Sequence, residues 1–299
     1  MLKKTIFIEN KASLTIKLNQ LIIKSELREA SIPIDDIGFV VVDHLETYIS
    51  ISVINELIEN NAALIICGKN HLPNGMFLNL NSHHIQQKLF GYQIAASLPL
   101  KKQLWQQTII EKITNQSLLL SRITNNKNTL PYFASKVQSG DSTNMEGVAA
   151  SYYWKSIFEF SFKRERFGDY PNNFLNYGYA ILRAATARAL SGSGLLNTLG
   201  IHHKNQYNAF ALADDIMEPF RPLVDEKVID LIDQFESQEL TPAVKKELLS
   251  ILTRTVYFQD EKSTLMVALQ KTASSLQQCF CGEKRKINYP KLWSLTDTE

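Results

Sequence analysis

Met76-Phe-Leu-Asn-Leu-Asn-Ser-His-His-Ile-Gln86 is the stretch across which the hydrophobic period of the chain changes. Upstream of it the apolar residues come in short runs suited to strands. Thr5–Ile8, Leu14–Leu18, Leu21–Ile23, Ile37–Val42 and Leu64–Cys67 are β-prone, with a turn expected at Asn19-Gln20 and a last strand at Met76–Leu80. Ile51, Ile54, Leu57 and Ile58 recur at helical spacing and predict one helix laid against this sheet. Downstream of His83 the period becomes that of helices. Gln86 to Arg122 carries Leu100, Leu104, Ile109 and Ile113 on helical spacing, interrupted only by Gly91 and Pro99 as helix-unfriendly residues. Asn144–Phe160, Asn172–Leu190, Val224–Phe235, Thr241–Leu252 and Lys262–Cys279 read as further helices, and Ser191-Gly-Ser-Gly194 reads as a C-terminal cap. The expected class is therefore α+β, with a small β-rich N-terminal domain over 1–82 and a larger, mainly α-helical domain over 83–299.

Composition sets outer limits. The 299 residues are 44% hydrophobic and 21% charged, which predicts packed cores and argues against wholesale disorder. A net charge of +2 neither requires nor excludes nucleic acid, since binding depends on where cations cluster. The opening Met1-Leu-Lys-Lys-Thr-Ile-Phe-Ile-Glu9 has too short an apolar run for a signal peptide, and the longest apolar stretches fall short of a membrane span. A soluble, cytoplasmic protein with no membrane association is the expectation. Three cysteines supply no disulfide framework, and Cys279-x-Cys281 is too tight for a zinc knuckle. The segment after Gly282, with Glu283-Lys-Arg-Lys286, reads as a solvated or mobile end.

Three polar clusters carry the chemistry. Glu146 ends Gly140-Asp-Ser-Thr-Asn-Met-Glu146, where Thr143 and Glu146 fit a helix capping box. It also opens the stripe Ala150, Tyr153, Ile157, Phe160, so its carboxylate is expected at the rim of a buried pocket, where an ionised group needs a partner or a metal. His202-His203 lies in the polar loop Gly200–Asn208. Imidazole ligates Mn²⁺ well and Mg²⁺ tolerably when carboxylates supply the rest, and the local sequence does not separate the two histidines. Asp214-Asp-Ile-Met-Glu218 places Asp215 and Glu218 on one helix side, with Pro219 expected to end the helix. Apolar neighbours Leu212, Ile216, Met217 and Phe220 favour a buried acidic patch over a solvated helix end.

Three segments together resemble CRISPR-associated protein one, the integrase subunit that captures spacers, in its type II branch. They are Gly140-Asp-Ser-Thr-Asn-Met-Glu-Gly147, Leu199-Gly-Ile-His-His203 followed by Lys204 and Asn205, and Leu212-Ala-Asp-Asp-Ile-Met-Glu-Pro-Phe-Arg-Pro-Leu-Val-Asp225. The resemblance runs along the whole chain. It implies that Glu146, His203 and Glu218 are the catalytic residues and hold Mg²⁺ or Mn²⁺, which selects the second histidine. Relatives often have aspartate at the Glu218 position, and Asp215 lies one turn earlier, so Asp215 is a candidate to hold a ligand from behind.

The implied reaction is metal-dependent DNA integration and cleavage, in which the 3′-hydroxyl of a protospacer fragment attacks a phosphodiester at a CRISPR repeat. Lys163, Arg164, Arg166, Arg183, Lys204 and Arg221, together with Arg188, are candidates for a phosphate-contacting rim. Tyr152, Tyr153 and Trp154 read as core rather than as base-stacking platforms. The resemblance also implies a homodimer joined through the N-terminal domains and a small partner, CRISPR-associated protein two. Two other classes stand beside this one: a stand-alone metal-dependent nuclease of DNA repair, and a non-catalytic DNA-binding scaffold.

Overall fold

The computed structural model describes residues 3–26, 28–79, 81–158, 162–165, 168–235, 237–258 and 261–294. Of the residues singled out above, Leu80, Phe160 and Arg166 lie outside the described residues.

The N-terminal part runs β1 (Lys4–Ile8), β2 (Ser13–Lys17), β3 (Gln20–Lys24), β4 (Glu29–Pro33), β5 (Ile37–Val42), β6 (Tyr48–Ile49), α1 (Ile51–Glu59), β7 (Ala63–Cys67) and β8 (Pro73–Phe77). It makes two four-stranded sheets, ordered β1-β5-β7-β8 and β4-β3-β2-β6. β5 is parallel to both its neighbours and buried at every position, which is why Ile-Gly-Phe-Val-Val-Val is apolar without alternation. Its two faces serve different cores. Val40, Val42 and Leu64 join Leu14, Leu21, Val53 and Leu57 in a small N-terminal core. Phe39, Val41, Ala63 and Ile65 join the large core of the helical part. Side chains that alternate across a strand thus weld the two halves of the chain.

The helical part comprises α2 (Gln86–Ala95), α3 (Leu98–Thr124), α4 (Leu130–Lys136), α5 (Met145–Ile157), α6 (Asn172–Gly192), α7 (Ala211–Met217), α8 (Arg221–Gln234) and α9 (Pro242–Leu249). A hairpin, β9 (Thr255–Phe258) and β10 (Glu261–Thr264), precedes α10 (Leu265–Phe280). α3 is the spine, packing against α4, α5, α7, α8 and the 3-10 turn Glu218–Phe220. Among the described residues no helix is long and apolar enough to cross a membrane.

The α+β expectation holds, while several boundaries move. The helical run expected over Gln86–Arg122 breaks at Ala96-Ser97, because Ser97 accepts the Leu100 N–H as an N-cap and Pro99 occupies the first turn of α3. The first hairpin turns at Leu18-Asn19, both with positive φ, one residue before the expected Asn19-Gln20. The last N-terminal strand is Pro73–Phe77, shifted from Met76–Leu80. α7 ends at Met217, just before the Glu218-Pro219 step where its end was expected, but the chain stays helical. Pro219 sits in the first turn of the 3-10 segment, where its missing N–H is harmless, and α8 follows directly. After Gly282, Glu283–Lys286 are exposed as expected, but the chain beyond them is packed. Ile287, Leu292 and Trp293 are buried, Tyr257 and Lys291 exchange backbone hydrogen bonds, and Asn288 bonds to Thr272 and Ser275 of α10.

One polar contact crosses between the halves within the apolar seam. Lys245 Nζ on α9 lies 2.6 Å from Asp43 Oδ2 just past β5, both side chains being 4% exposed. His71 Nδ1 reaches the other oxygen of Asp43 at 3.0 Å. Nearby, Arg188 of α6 donates to the Asn61 carbonyl at 2.6 Å and lies over the Phe39 ring. Removing one partner of a buried pair strands the other, so Lys245→Met is expected to cost about 3–5 kcal/mol in denaturant unfolding. The double variant Asp43→Asn/Lys245→Met should recover most of that loss. A double variant as unstable as Lys245→Met alone would show that the pair does not carry the effect.

Candidate metal centre

α5 begins at Asn144, whose left-handed backbone and side-chain oxygen cap the helix by accepting the Gly147 N–H at 3.2 Å. Asp141 accepts the Met145 and Glu146 N–H groups at 2.9 and 3.0 Å. With those donors satisfied, Thr143 and Glu146 do not form the capping box that their spacing suggested. The Glu146 carboxylate instead turns to α3, where Lys112 Nζ lies 2.6 Å from its Oε1.

Lys112 also lies 2.6 Å from Glu218 Oε2, so one ammonium spans acids from two distant segments. Glu218 is buried at the start of the 3-10 turn, which Asn115 of α3 anchors by donating to the Pro219 carbonyl at 2.8 Å. Arg221 Nε donates to the other Glu218 oxygen at 2.8 Å. The cluster is two acids and two bases, and its charges balance. Burial opposes the charged form of Glu218, but Arg221 and Lys112 outweigh it and hold the carboxyl below its ordinary range. Burial likewise opposes the charge on Lys112, and Glu218 and Glu146 carry its pKa above the ordinary value. Glu218 Oε2 is buried and has the Lys112 ammonium as its neighbour at 2.6 Å. That oxygen retains a lone pair suited to a cation of different geometry.

His203 enters from the loop before α7. Fully buried Asp215 gathers that loop, accepting the Ile201 and His202 N–H groups on Oδ2 at 2.7 and 2.9 Å, and the His203 N–H on Oδ1 at 3.2 Å. Its Oδ1 also pairs with His203 Nδ1. This contact raises the imidazole's pKa, against burial. Gly200 is obligatory here, since a Cβ would meet the His203 carbonyl at 2.6 Å and the Asp215 carboxylate at 2.7 Å. His202 stacks on Trp105 of α3, ring centroids 4.2 Å apart, and His203 meets the same indole edge-on at 5.8 Å. Trp105 and Lys112 are two turns apart on α3, about 10 Å along its axis.

The fold therefore brings Glu146 and Glu218 onto one cation at Lys112 and sets His203, held by Asp215, against Trp105 two turns away on α3. Among the described residues no three His, Cys, Asp or Glu side chains are gathered around one point where an ion would sit. The donors nonetheless suit Mg²⁺ or Mn²⁺ chemically: two carboxylates that already share one cation, and an imidazole whose Nδ1 is engaged while Nε2 is left for ligation.

The basic candidates disperse. Arg164 and Arg221 line a cavity of about 190 Å³ with Lys112, Gln116, Trp154 and Tyr179. Lys204 lines a separate open groove of about 650 Å³ beside His203, together with Lys101 and Tyr207. Lys163 is exposed near Arg164. Arg183 pairs with Asp214 at 3.1 Å, away from the carboxylates, and Arg188 is spent on Asn61. Tyr153 is core, and Trp154 and Tyr152 are partly buried against it. Lys112 and Trp105 contact the candidate residues, and the motifs did not single them out. The available signal was their place in α3: Trp105, Ile109, Lys112 and Gln116 fall on one helical stripe, and a lysine within a buried stripe requires a partner.

Comparison with known proteins bears on this arrangement. The family model for CRISPR associated protein Cas1 matches residues 6–254. The CRISPR-associated endonuclease Cas1 of Neisseria meningitidis serogroup C (strain 8013) is 36% identical over 298 residues, 98% of this chain and 98% of that protein. A casposase bound to integration product superposes with a TM-score of 0.78 at 22% identity, covering 95% of this chain and 92% of that one. A Cas6-RT-Cas1–Cas2 complex aligns with a TM-score of 0.72 at 20% identity, over 98% of this chain and 36% of that one.

Behind Glu218, Asp225 accepts the Tyr153 hydroxyl at 2.7 Å and the Tyr179 hydroxyl on its other oxygen, and Arg221 lies over the Tyr179 ring at 4.5 Å. Burial drives the Asp225 carboxyl up to about 6, against the pull of Tyr179 and Tyr153. Between about pH 4 and 6 the folded chain then holds a proton that the unfolded chain has lost. Asp225 accordingly contributes stability at low pH that falls as pH rises through that window, by at most about 3 kcal/mol. Unfolding of Asp225→Asn is expected to lack this slope. An unchanged slope would place the titration elsewhere.

Proposed function

The chain belongs to the family of CRISPR-associated endonuclease Cas1, and from that premise we propose that it is a metal-dependent integrase that inserts spacer DNA into a CRISPR array. The observation that carries this reading is the meeting of Glu146 and Glu218 on a single cation beside an imidazole that is held through Nδ1.

Glu146, Glu218 and His203 Nε2 are the ligands for Mg²⁺ or Mn²⁺. Asp215 acts from behind His203, because ligating a metal itself would break the bonds it accepts from three backbone N–H groups. When bound, the divalent ion polarises the phosphate and lowers the pKa of the attacking hydroxyl. The chain's own residues position and neutralise. Arg221 keeps Glu218 ionised and oriented, and Arg221 and Arg164 line the cavity where phosphate oxygens would lie. The incoming 3′-oxygen bonds to phosphorus as the P–O bond of the repeat strand breaks. One phosphodiester replaces another, and no nucleotide triphosphate is consumed. Lys204 and Lys163 are exposed cations available to the DNA backbone.

The partners proposed are DNA, a second copy of this chain through the N-terminal sheets, and the small CRISPR-associated protein two. The neighbouring complex that contains Cas1 and Cas2 supports the last of these. Action on a genomic array implies a cytoplasmic location.

The test is strand transfer with purified chain, its small partner, a protospacer duplex and a repeat-bearing plasmid. Joining should require Mg²⁺ or Mn²⁺, vanish with chelator, and fall about a hundredfold or more in Glu146→Gln, His203→Ala and Glu218→Gln. Cutting without joining would favour the repair nuclease. DNA binding with no chemistry, and indifference to all three substitutions, would favour the scaffold.

A further inference from the structure

Lys112 is an unusual group to find where it lies. It is a long cationic side chain brought through a packed helix face to within 2.6 Å of two carboxylates from different segments, with only 10% of the side chain exposed. Surface lysines make one loose pair, whereas this one closes the gap between α5 and the Glu218 turn. The position pairs Glu146, joins Arg221 on Glu218, and is where a cation shared by Glu146 and Glu218 has to sit.

We propose that Lys112 is a built-in competitor for the divalent ion: it neutralises Glu146 and Glu218 in the metal-free protein and must leave them before they can ligate. This deepens the metal-dependent reading above and rests on it. Two observations support displacement over a purely structural pair. First, one ammonium serves both acids at the same 2.6 Å, and Glu218 keeps Arg221 on its other oxygen, so withdrawing the lysine does not leave that buried acid without a cation. Second, Lys112 lines the 190 Å³ cavity with Arg164, Arg221 and Gln116, so a released ammonium opens onto polar space and is not stranded among apolar groups. A DNA phosphate in that cavity would then meet three cations. The acids exchange an ammonium for a metal, and the ammonium exchanges acids for phosphate.

The experiment is calorimetric titration of Mn²⁺ into the full-length chain without DNA, paired with the Mn²⁺-induced shift of melting temperature. Lys112→Met and Lys112→Gln are expected to bind Mn²⁺ about tenfold or more tightly than wild type, with a larger melting shift, because the competitor is gone. Lys112→Arg keeps the positive charge and is expected to stay as weak as wild type. Adding Glu218→Gln to Lys112→Met should abolish the gain. If the Met and Gln variants bind Mn²⁺ no more tightly than wild type, Lys112 is not a competitor, and the metal-dependent reading survives. If neither wild type nor any variant binds, both fail together. Should Lys112→Met be too unstable to titrate, Lys112→Gln carries the same comparison.

Discussion

Glu218 is buried and Glu146 half-buried beside it, and the one cation placed between them ties together distant parts of the helical half of this chain. Glu146 and Glu218 come from segments about seventy residues apart, and Lys112 supplies the shared charge. The lysine can do so because α3 is long, 27 residues, and packed on several sides. The same helix carries Trp105 for the histidine loop and Asn115 for the Pro219 carbonyl. One spine thus fixes all three arms of the candidate centre, and each arm has its own local device: the Asn144 cap, the Asp215 knot and the 3-10 turn at Glu218.

A second constraint sets the frame around that spine. β5 is apolar on both faces because it separates two cores, and the pair Asp43–Lys245 lies within the seam. The β1-β5-β7-β8 sheet is thereby packed directly against the helical core that holds the site. If the sheets join two copies of the chain, as proposed, that packing fixes the spacing between two active centres.

Much of this was legible in the residues. The change of period after Ser82 marks the passage from strands to helices, and the uniform burial of Ile37–Val42 follows from its composition. Glu146, Asp215 and Glu218 are found at the rim or interior of the helical core, where their apolar neighbours place them. What escaped did so for physical reasons. β4, Glu29-Ala-Ser-Ile-Pro33, is an exposed edge strand without an apolar pattern. The β9–β10 hairpin pairs residues that also suit a helix start, and only the partner strand decides. The C-terminal segment owes its order to Tyr257, Ser275 and Thr272, contacts that no local pattern announces. Lys112 was hidden for the same reason, since its partners lie 34 and about a hundred residues away.

The most direct measurement is a crystal structure of the chain soaked in MnCl₂, with anomalous difference maps recorded at the manganese edge. The account predicts a single strong peak bounded by Glu146, Glu218 and His203 Nε2, with the Lys112 ammonium moved from between the acids. A map with no peak there, or with manganese bound elsewhere while Lys112 still bridges both carboxylates, would contradict it.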